Sequence, residues 1–374
     1  MKKQPKRPVT LADIAALAAV TPMTVSRVIN SSGYVHVETR ERVMRVAREM
    51  NYRRNGLARG LKRQRTETIG LIIGDIANPF AAELSRGVRE VLEKRGYTLF
   101  ICISEHSPKE DVQAFDSLAD HRADGLIVAT RSCKSGNERL KELIDSGVPV
   151  SLIGRDFRHP HADLVQADNL KGGYEATCHL IEQGHKRIGF IGVSLTKSLG
   201  LRRFQGYVEA LNEHGLLVED NLIVGGRGTS DQMPGYSTEE MGYDGMTKLL
   251  KLKKRPTAIF ARNDFTAIGA LNAIKQAGLR VPEDIAVAGY DDIPLASHIT
   301  PALTTVRQPT REQGRLAAEF LLRRIEDDSE RPREEKTFDC ELIIRQSSVA
   351  PLDSFSLQDG FANGTTTVRQ IPKS

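Results

Sequence analysis

The chain has no tryptophan, an aromatic content of only 5%, and four cysteines in 374 residues. Cys102, Cys133, Cys178 and Cys340 are scattered without a CxxC spacing. That excludes a zinc ribbon or a disulfide framework and fits reduced thiols in a cytoplasm. No apolar run approaches the roughly 18–20 residues of a bilayer span, and the basic start MKKQPKRPVT has no apolar stretch behind it. Neither membrane insertion nor secretion is expected, and the expected location is the cytoplasm. A GxGxxG after a strand and a Walker loop are also missing, which removes the phosphate cradles of dinucleotide enzymes and NTPases. The catalytic residue types that do occur are badly arranged. Ser104-Glu105-His106 are adjacent and cannot point at one another as a relay, and His159-Pro160-His161 has two imidazoles without a third ligand at metal spacing. No cofactor, metal or catalytic residue is expected.

What is there is 40% hydrophobic and 27% charged, the balance of a globular protein. At about 150 residues per domain the length asks for two or three domains. The net charge of +5 hides an asymmetry: residues 1–65 carry 15 Lys and Arg against 4 Asp and Glu, net +11, which leaves −6 on the remainder. A basic end on a mildly acidic body points to a polyanion-binding module, although charge alone also fits a solvated surface.

From Thr66 onward short apolar runs alternate with amphipathic stretches: Ile69–Ile73 then Ala81–Lys94, Thr98–Ile103 then Lys109–His121, and so on to Ile285–Tyr290. This β/α alternation implies parallel sheets covered by helices, and about ten strands exceed one ordinary sheet, so two doubly wound lobes are expected. Gly225–Tyr243 is rich in turn formers and reads as a loop over a cleft or a plain surface insertion. Residues 351–374 are rich in Ser, Thr, Gly and Asn, without helical periodicity or leucine heptads, and read as a disordered tail.

The first 65 residues hold three short helical patterns. Thr10-Leu11-Ala12-Asp13 fits a capping box, with Thr10 accepting from the N3 amide and Asp13 in the first turn. A helix should run from there to Ala18. Thr21-Pro22 starts a second helix at once, Thr21 as N-cap and Pro22 where a missing N–H costs nothing. Ile14, Leu17, Val25, Val28 and Ile29 supply apolar faces; Met23, Thr24 and Arg27 fall on the outer side of the second helix. A third helix from Glu38 to Met50 would cover the apolar side. Helix, short turn, helix, with polar residues early in the second, is the geometry that enters a major groove.

The runs Val9-Thr10-Leu11-Ala12-Asp13-Ile14-Ala15, Thr24-Val25-Ser26-Arg27-Val28-Ile29-Asn30, Thr39-Arg40-Glu41-Arg42-Val43 and Asn51-Tyr52 resemble the signature of the lactose/galactose repressor family (LacI/GalR), and the similarity continues to about Pro351. The resemblance implies that Pro22, Met23 and Arg27 read bases, with Arg27 bidentate on guanine and Met23 limited to apolar contact. It places Thr21, Thr24, Ser26, Asn30, Tyr52 and Asn55 on phosphates. Two departures stand out: Ala19 occupies a turn position usually held by Gly, and Arg54 replaces the usual Pro. Residues 55–62 match the family's hinge helix, in which Leu61 is the minor-groove wedge. Gly56 and Gly60 make that helix weak by itself, so it should order only when two copies pack on DNA.

In a doubly wound protein a ligand binds beyond the carboxyl ends of the strands. Polar residues directly after apolar runs are Asp75 with Asn78 and Phe80, Arg155, Asp168-Asn169, Arg203, Asn263-Asp264 and Asp291-Asp292. Carboxylates, amides and arginines with one aromatic suit a polyhydroxylated ligand. The effector residues are taken as Asp75, Asn78, Phe80, Arg155, Asp168, Arg203, Asn263 and Asp291, with helix capping the alternative for Asp168 and Asn263. The family's bodies, similar to periplasmic sugar-binding proteins, carry matching elements, which makes Arg203 and Asp291 the foremost contacts.

The expected architecture is a helix-turn-helix DNA-binding domain at 1–54, a hinge at 55–65, and a two-lobed effector-binding and dimerisation domain at 66–350. Its first lobe would comprise 66–167 with 306–333, and its second 168–305 with 334–350. The expected partners are double-stranded operator DNA, a second copy of the chain and a small effector. Carbohydrate is the leading effector class, with a purine or phosphorylated metabolite as alternative. A rival reading of the whole chain is a sugar-binding or sugar-modifying enzyme with an incidental basic head.

Overall fold

The computed structural model describes residues 9–52, 65–105, 107–130, 133–192, 199–225, 238–326 and 331–349. The chain divides between Thr66 and Glu67 into two units, each taken by itself below.

In the first unit, helices α1 (Leu11–Ala18), α2 (Pro22–Ile29) and α3 (Val37–Glu49) follow from their capping chemistry. Thr10 Oγ1 accepts from the Asp13 amide at 3.3 Å while Asp13 Oδ2 accepts from the Thr10 amide at 2.8 Å, so both orphan donors are satisfied. Ala19 ends α1 in the left-handed region, φ +50°, a conformation that costs a residue with a Cβ about 1–2 kcal/mol. The chain then bends by 106° into α2. Ile14, Ala15, Ala18, Val25, Val28, Ile29, Val43 and Ala47 form the core. Leu17, expected on the apolar face, is 65% exposed, because so short a helix buries only the narrow stripe 14, 15, 18 against its two neighbours.

The second unit holds two parallel sheets. The first has the order β11-β5-β4-β3-β1-β2, built from β1 (Thr68–Ile73), β2 (Thr98–Ile103), β3 (Gly125–Ala129), β4 (Val150–Ile153), β5 (Ala162–Ala167) and β11 (Glu335–Phe338). Side chains alternate across it. Ile69, Leu71 and Ile73 meet α4 (Pro79–Lys94) and α11 (Thr310–Glu326), whereas Ile72, Leu126 and Val128 meet α5 (Pro108–Asp120) and α6 (Lys134–Asp145).

The second sheet, β7-β6-β8-β9, comprises β6 (Ile188–Ile191), β7 (Ile223–Val224), β8 (Ala258–Ala261) and β9 (Ala286–Ala288). Helices α7 (Asn169–Glu182) and α8 (Leu199–Glu213) cover one face, and α9 (Thr238–Leu250) and α10 (Asp264–Gln276) the other. A ribbon of β10 (Thr305–Arg307) and β12 (Glu341–Ile343) pairs antiparallel beside it.

Two expectations need correction. Of the stretch 334–350, expected in the second lobe, β11 instead hydrogen-bonds to β5 as an edge of the first sheet, while β12 and Ser347 do join the second lobe. The sequence EKTF of β11 carries no apolar run to mark it. The expected loop at 225–243 lies largely outside the described residues, at 226–237, and its last six residues belong to α9, which begins at Thr238: Glu239 and Glu240 favour its N-terminus, and Gly242 and Gly245 are packing positions in it rather than breakers.

The segment after β12 is pinned into the second lobe by buried polar groups. Ser347 Oγ donates to the Val287 carbonyl and accepts from the Thr304 amide, and Ser348 Oγ pairs with His179 Nε2 at 2.7 Å and with Thr304 Oγ1 at 2.6 Å. Burial holds the His179 imidazole below the ordinary histidine range. Folded chains therefore bind fewer protons than unfolded ones as pH drops below about 6.5, and stability is lost from there downward until His179 titrates in the fold. Urea unfolding between pH 7.5 and 5.5 should show a decline of at most about 1.4 kcal/mol per pH unit from this group. His179→Asn should flatten it, and an unchanged slope in that variant would remove His179 as its source.

Candidate functional site

In the first unit, α2 presents the residues that matter. Thr21 caps it, its Oγ1 accepting from the Thr24 amide at 3.2 Å and lying 3.0 Å from the Thr24 hydroxyl. Pro22 and Met23 in the first turn and Arg27 in the last are all exposed. The Arg27 stem lies over Gly33, whose φ of +74° turns the chain back toward it; a Cβ there would come within 3.8 Å of Arg27 Cδ. Thr21 and Asn30 are exposed, while Thr24, Ser26 and Tyr52 are half-buried. Asn30 Nδ2 donates to Ser26 Oγ at 3.2 Å, and Tyr52 packs on the core. Asn55 and Leu61, with the rest of the expected hinge helix, lie outside the described residues. Tyr34, overlooked in the sequence, stands exposed in the turn between α2 and α3, on the loop that starts beside Arg27. Only the turn former Gly33 beside it hinted at a projecting ring.

In the second unit Asp75, Asp168, Asn263 and Asp291 follow strand ends, while Arg203 lies within α8 and contacts Asp291. Beyond β1, Asp75 Oδ1 accepts from the Ala77 amide at 2.8 Å, Asn78 caps α4 through the Phe80 amide, and Phe80 is half-buried. Beyond β5, Asp168 caps α7 through the Lys171 amide. Next to it, Asn169 Oδ1 accepts from Arg203 Nε at 2.8 Å. This contact requires α7 and α8 to touch backbone to backbone. A Cβ on Gly173 would fall 2.3 Å from the Arg203 carbonyl oxygen, and one on Gly206 would fall 2.1 Å from that of Leu170. Arg203 further donates to the Arg262 carbonyl at 2.6 Å and to Asp291 Oδ1 at 3.2 Å, and its guanidinium lies 3.6 Å over the Tyr290 ring. Asn263 caps α10, its Oδ1 committed to the amide and hydroxyl of Thr266.

Arg155 is a correction. It follows β4 as expected, but only 1% of it is exposed. Its guanidinium donates to Thr130 Oγ1 at 2.7 Å and to Asn137 Oδ1 at 3.0 Å, with Asp111 Oδ2 at 3.4 Å. It therefore braces α5 and α6 and offers no surface to a ligand.

The profile described as bacterial regulatory proteins, lacI family, matches residues 10–55, and the profile of a periplasmic binding protein-like domain matches 177–348. The chain is 39% identical over 326 residues to the ribose operon repressor of Haemophilus influenzae, covering 87% of this chain and 94% of that one. The chain belongs to the LacI family. The HTH-type transcriptional repressor PurR of Aliivibrio salmonicida is 36% identical over 342 residues, covering 90% of this chain and 98% of its own length. Among solved structures, the regulator CelR in complex with cellobiose matches with a TM-score of 0.67 at 34% identity, over 91% of this chain and all of that one. The Lac repressor dimer bound to operator matches with a TM-score of 0.78 at 25% identity, over 92% and 100%. The resemblance seen in the sequence is thus shown, as is the architecture of a helical LacI-type head and a periplasmic-binding-protein-like α/β body.

In this LacI-family body the electrostatics centre on Asp291. Burial pushes its carboxyl above the usual range, against the pull of the Arg203 guanidinium. Deeper still, Asp264 is held well above its ordinary value by burial and by the neighbouring Asp291 charge, while accepting from Thr305 Oγ1 and the Ile293 amide. The Asp291 backbone, φ +107°, and the Asp292 backbone, φ +49°, lie where a side chain is strained. The contacts that hold them there come from Arg203 and Gln308 for Asp291 and from Arg307 and Arg345 for Asp292. Among the described residues both donors to Asp291 fall on Oδ1.

Proposed function

We propose that this protein is a transcriptional repressor that binds a pseudopalindromic operator as a homodimer and changes its operator affinity when a sugar occupies the cleft between its two lobes. The observation that carries this reading is an exposed Arg27 on a capped second helix, in a head whose sequence is that of the LacI family. Arg27 reads a guanine edge, Pro22 and Met23 make apolar contact with neighbouring bases, and Thr21, Thr24, Ser26, Asn30, Tyr52 and Asn55 hold phosphates. Leu61 of the hinge wedges the minor groove. The second copy pairs along edge strand β2, where Phe100, Ile101 and Ile103 are 45%, 42% and 44% exposed; an apolar sheet edge of this kind asks for a cover.

Asp75, Asn78, Phe80, Asp168, Arg203, Asn263 and Asp291 form the effector site. Asp291 Oδ2, the oxygen that Arg203 and Gln308 do not take, accepts from a ligand hydroxyl, Arg203 and the Asn263 amide nitrogen supply donors, and Phe80 covers an apolar face. A sugar fits this set better than a purine, which would want aromatic rings on its flat faces; here Phe80 is the one aromatic in the set, and the nearby Tyr290 ring is already taken by Arg203. PurR among the relatives keeps a purine as the second reading.

Fluorescence anisotropy on operator selected from a random pool tests the claim. Binding should fall with log salt at a slope near −5 if about six phosphates are neutralised. Arg27→Ala should lose about 1–3 kcal/mol of preference for selected over random DNA while keeping nonspecific affinity. Sequence-blind binding by the unmodified chain would sink the regulator reading, and an undiminished preference in the variant would sink Arg27 as the reader. A thermal-shift comparison of D-ribose, cellobiose and hypoxanthine decides the ligand class, since a ligand at 100 times its Kd stabilises by about 2.7 kcal/mol.

A further inference from the structure

The chain passes between the two lobes three times: at Asp168 between β5 and α7, at Gln308-Pro309 between β10 and α11, and at Asp339-Cys340 between β11 and β12. At the second crossing a buried amide bridges the lobes. Gln308 is 6% exposed and its Nε2 donates to Asp291 Oδ1 at 2.7 Å, the shorter of that oxygen's two bonds. Because a carboxylate only accepts, this contact fixes the amide's orientation and turns Oε1 away from Asp291. Oε1 then takes the Nε2 donor of Gln313 at 3.3 Å. Gln313 is 2% exposed and sits in the first turn of α11, whose amide there is bonded to the Pro309 carbonyl. That helix lies in the core of the first lobe through Ala317, Ala318, Leu321 and Ile325.

We infer that Gln308 is the positioning residue that carries the state of the effector carboxylate Asp291, on the second lobe, to helix α11 of the first. The inference rests on Asp291 being an effector contact. A ligand hydroxyl on Asp291 draws acceptor density and shifts the strained loop at 291–292; Gln308, bonded to the same carboxylate, moves with it. Its other end releases or tightens the first turn of α11. A buried amide with both ends engaged cannot let one partner move without cost to the other, so the two bonds couple Asp291 to the first turn of α11. Gln308 touches no ligand in this scheme.

Hydrogen–deuterium exchange on the full chain without ligand tests the relay. Asp291→Ala should speed exchange of amides 310–316 at least threefold. The same change in a Gln308→Met background, which keeps the side-chain length but has no hydrogen bonds to lose, should add little. Equal effects of Asp291→Ala in both backgrounds, or none in either, would overturn the relay. A second measurement uses whichever of D-ribose, cellobiose and hypoxanthine raises the melting temperature of the unmodified chain. Gln308→Met should cut the factor by which that compound changes operator affinity at least fivefold while its own Kd moves less than threefold. An unreduced factor counts against the relay. If Asp291→Ala leaves the compound's Kd unchanged, the effector reading fails instead, and the exchange result still stands by itself.

Discussion

Arg203→Ala is expected to abolish the effector's influence on operator binding and to weaken effector binding at least 100-fold. The side chain is almost wholly enclosed, forks between Asn169, the Arg262 carbonyl and Asp291, and caps the Tyr290 ring. Removing it deletes one of the donors proposed for the effector and leaves the Asp291 carboxylate buried without its hydrogen-bonded cation, a situation that costs about 3–5 kcal/mol. For a folded body of this size each kcal/mol moves the melting temperature by about 2–4 °C, so a fall on the order of 10 °C should appear by calorimetry. Arg203→Lys should not rescue, because three acceptors in different directions need a planar fork. Operator binding without effector should persist, since the head has its own core. A variant that keeps both its effector response and its melting temperature would refute this account.

A comparable loss is expected from Arg324→Ala, this time in the scaffold. Arg324 on α11 grips Asp163 of β5 through two parallel bonds, Nε to Oδ2 at 2.9 Å and Nη2 to Oδ1 at 2.5 Å, and the pair is buried. Asp163 Oδ1 also accepts from the Glu334 amide, which leads into β11. Truncating Arg324 strands that carboxylate and should lower the unfolding free energy by about 3–5 kcal/mol. Replacing both partners, Arg324→Met with Asp163→Leu, should recover most of the loss, because the penalty lies in the unpaired charge more than in the missing attraction. Urea denaturation of the two variants decides it; a double variant no better than Arg324→Ala would mean that β11 depends on the Glu334 contact.

How much of this was legible beforehand depends on how local the physics is. Thr10, Asp13 and Thr21 act on amides three residues away and Pro22 acts through its own fixed φ, so their spacing alone places the starts of both head helices. Asp75, Asp168, Asn263 and Asp291 stand out because they follow strand ends, the ligand side of a doubly wound sheet, whereas Arg203 lies within α8 and is singled out by the family resemblance. Arg155 obeyed the same rule and proved to be a brace, since nothing in the order of residues tells whether a guanidinium after a strand turns outward or back onto Asp111 and Asn137. Gln308 was invisible for a related reason: its two partners lie 17 residues back on a loop and 5 ahead on a helix, and no local pattern ties them. The strands β10, β11 and β12 escape a reading by apolar runs because they are only three or four residues long, and β11 has a single apolar residue.

The three crossings are not equivalent fastenings. The Asp168 amide donates to the Phe338 carbonyl at 2.8 Å, and Lys171 reaches Asp339, so the first and third crossings are laced together at one point. Two strands of chain fixed side by side take away sliding between the lobes and leave turning about a line through the lacing. For an effector that bridges the lobes as proposed, leverage grows with distance from that line, so each of its hydrogen bonds has less to supply.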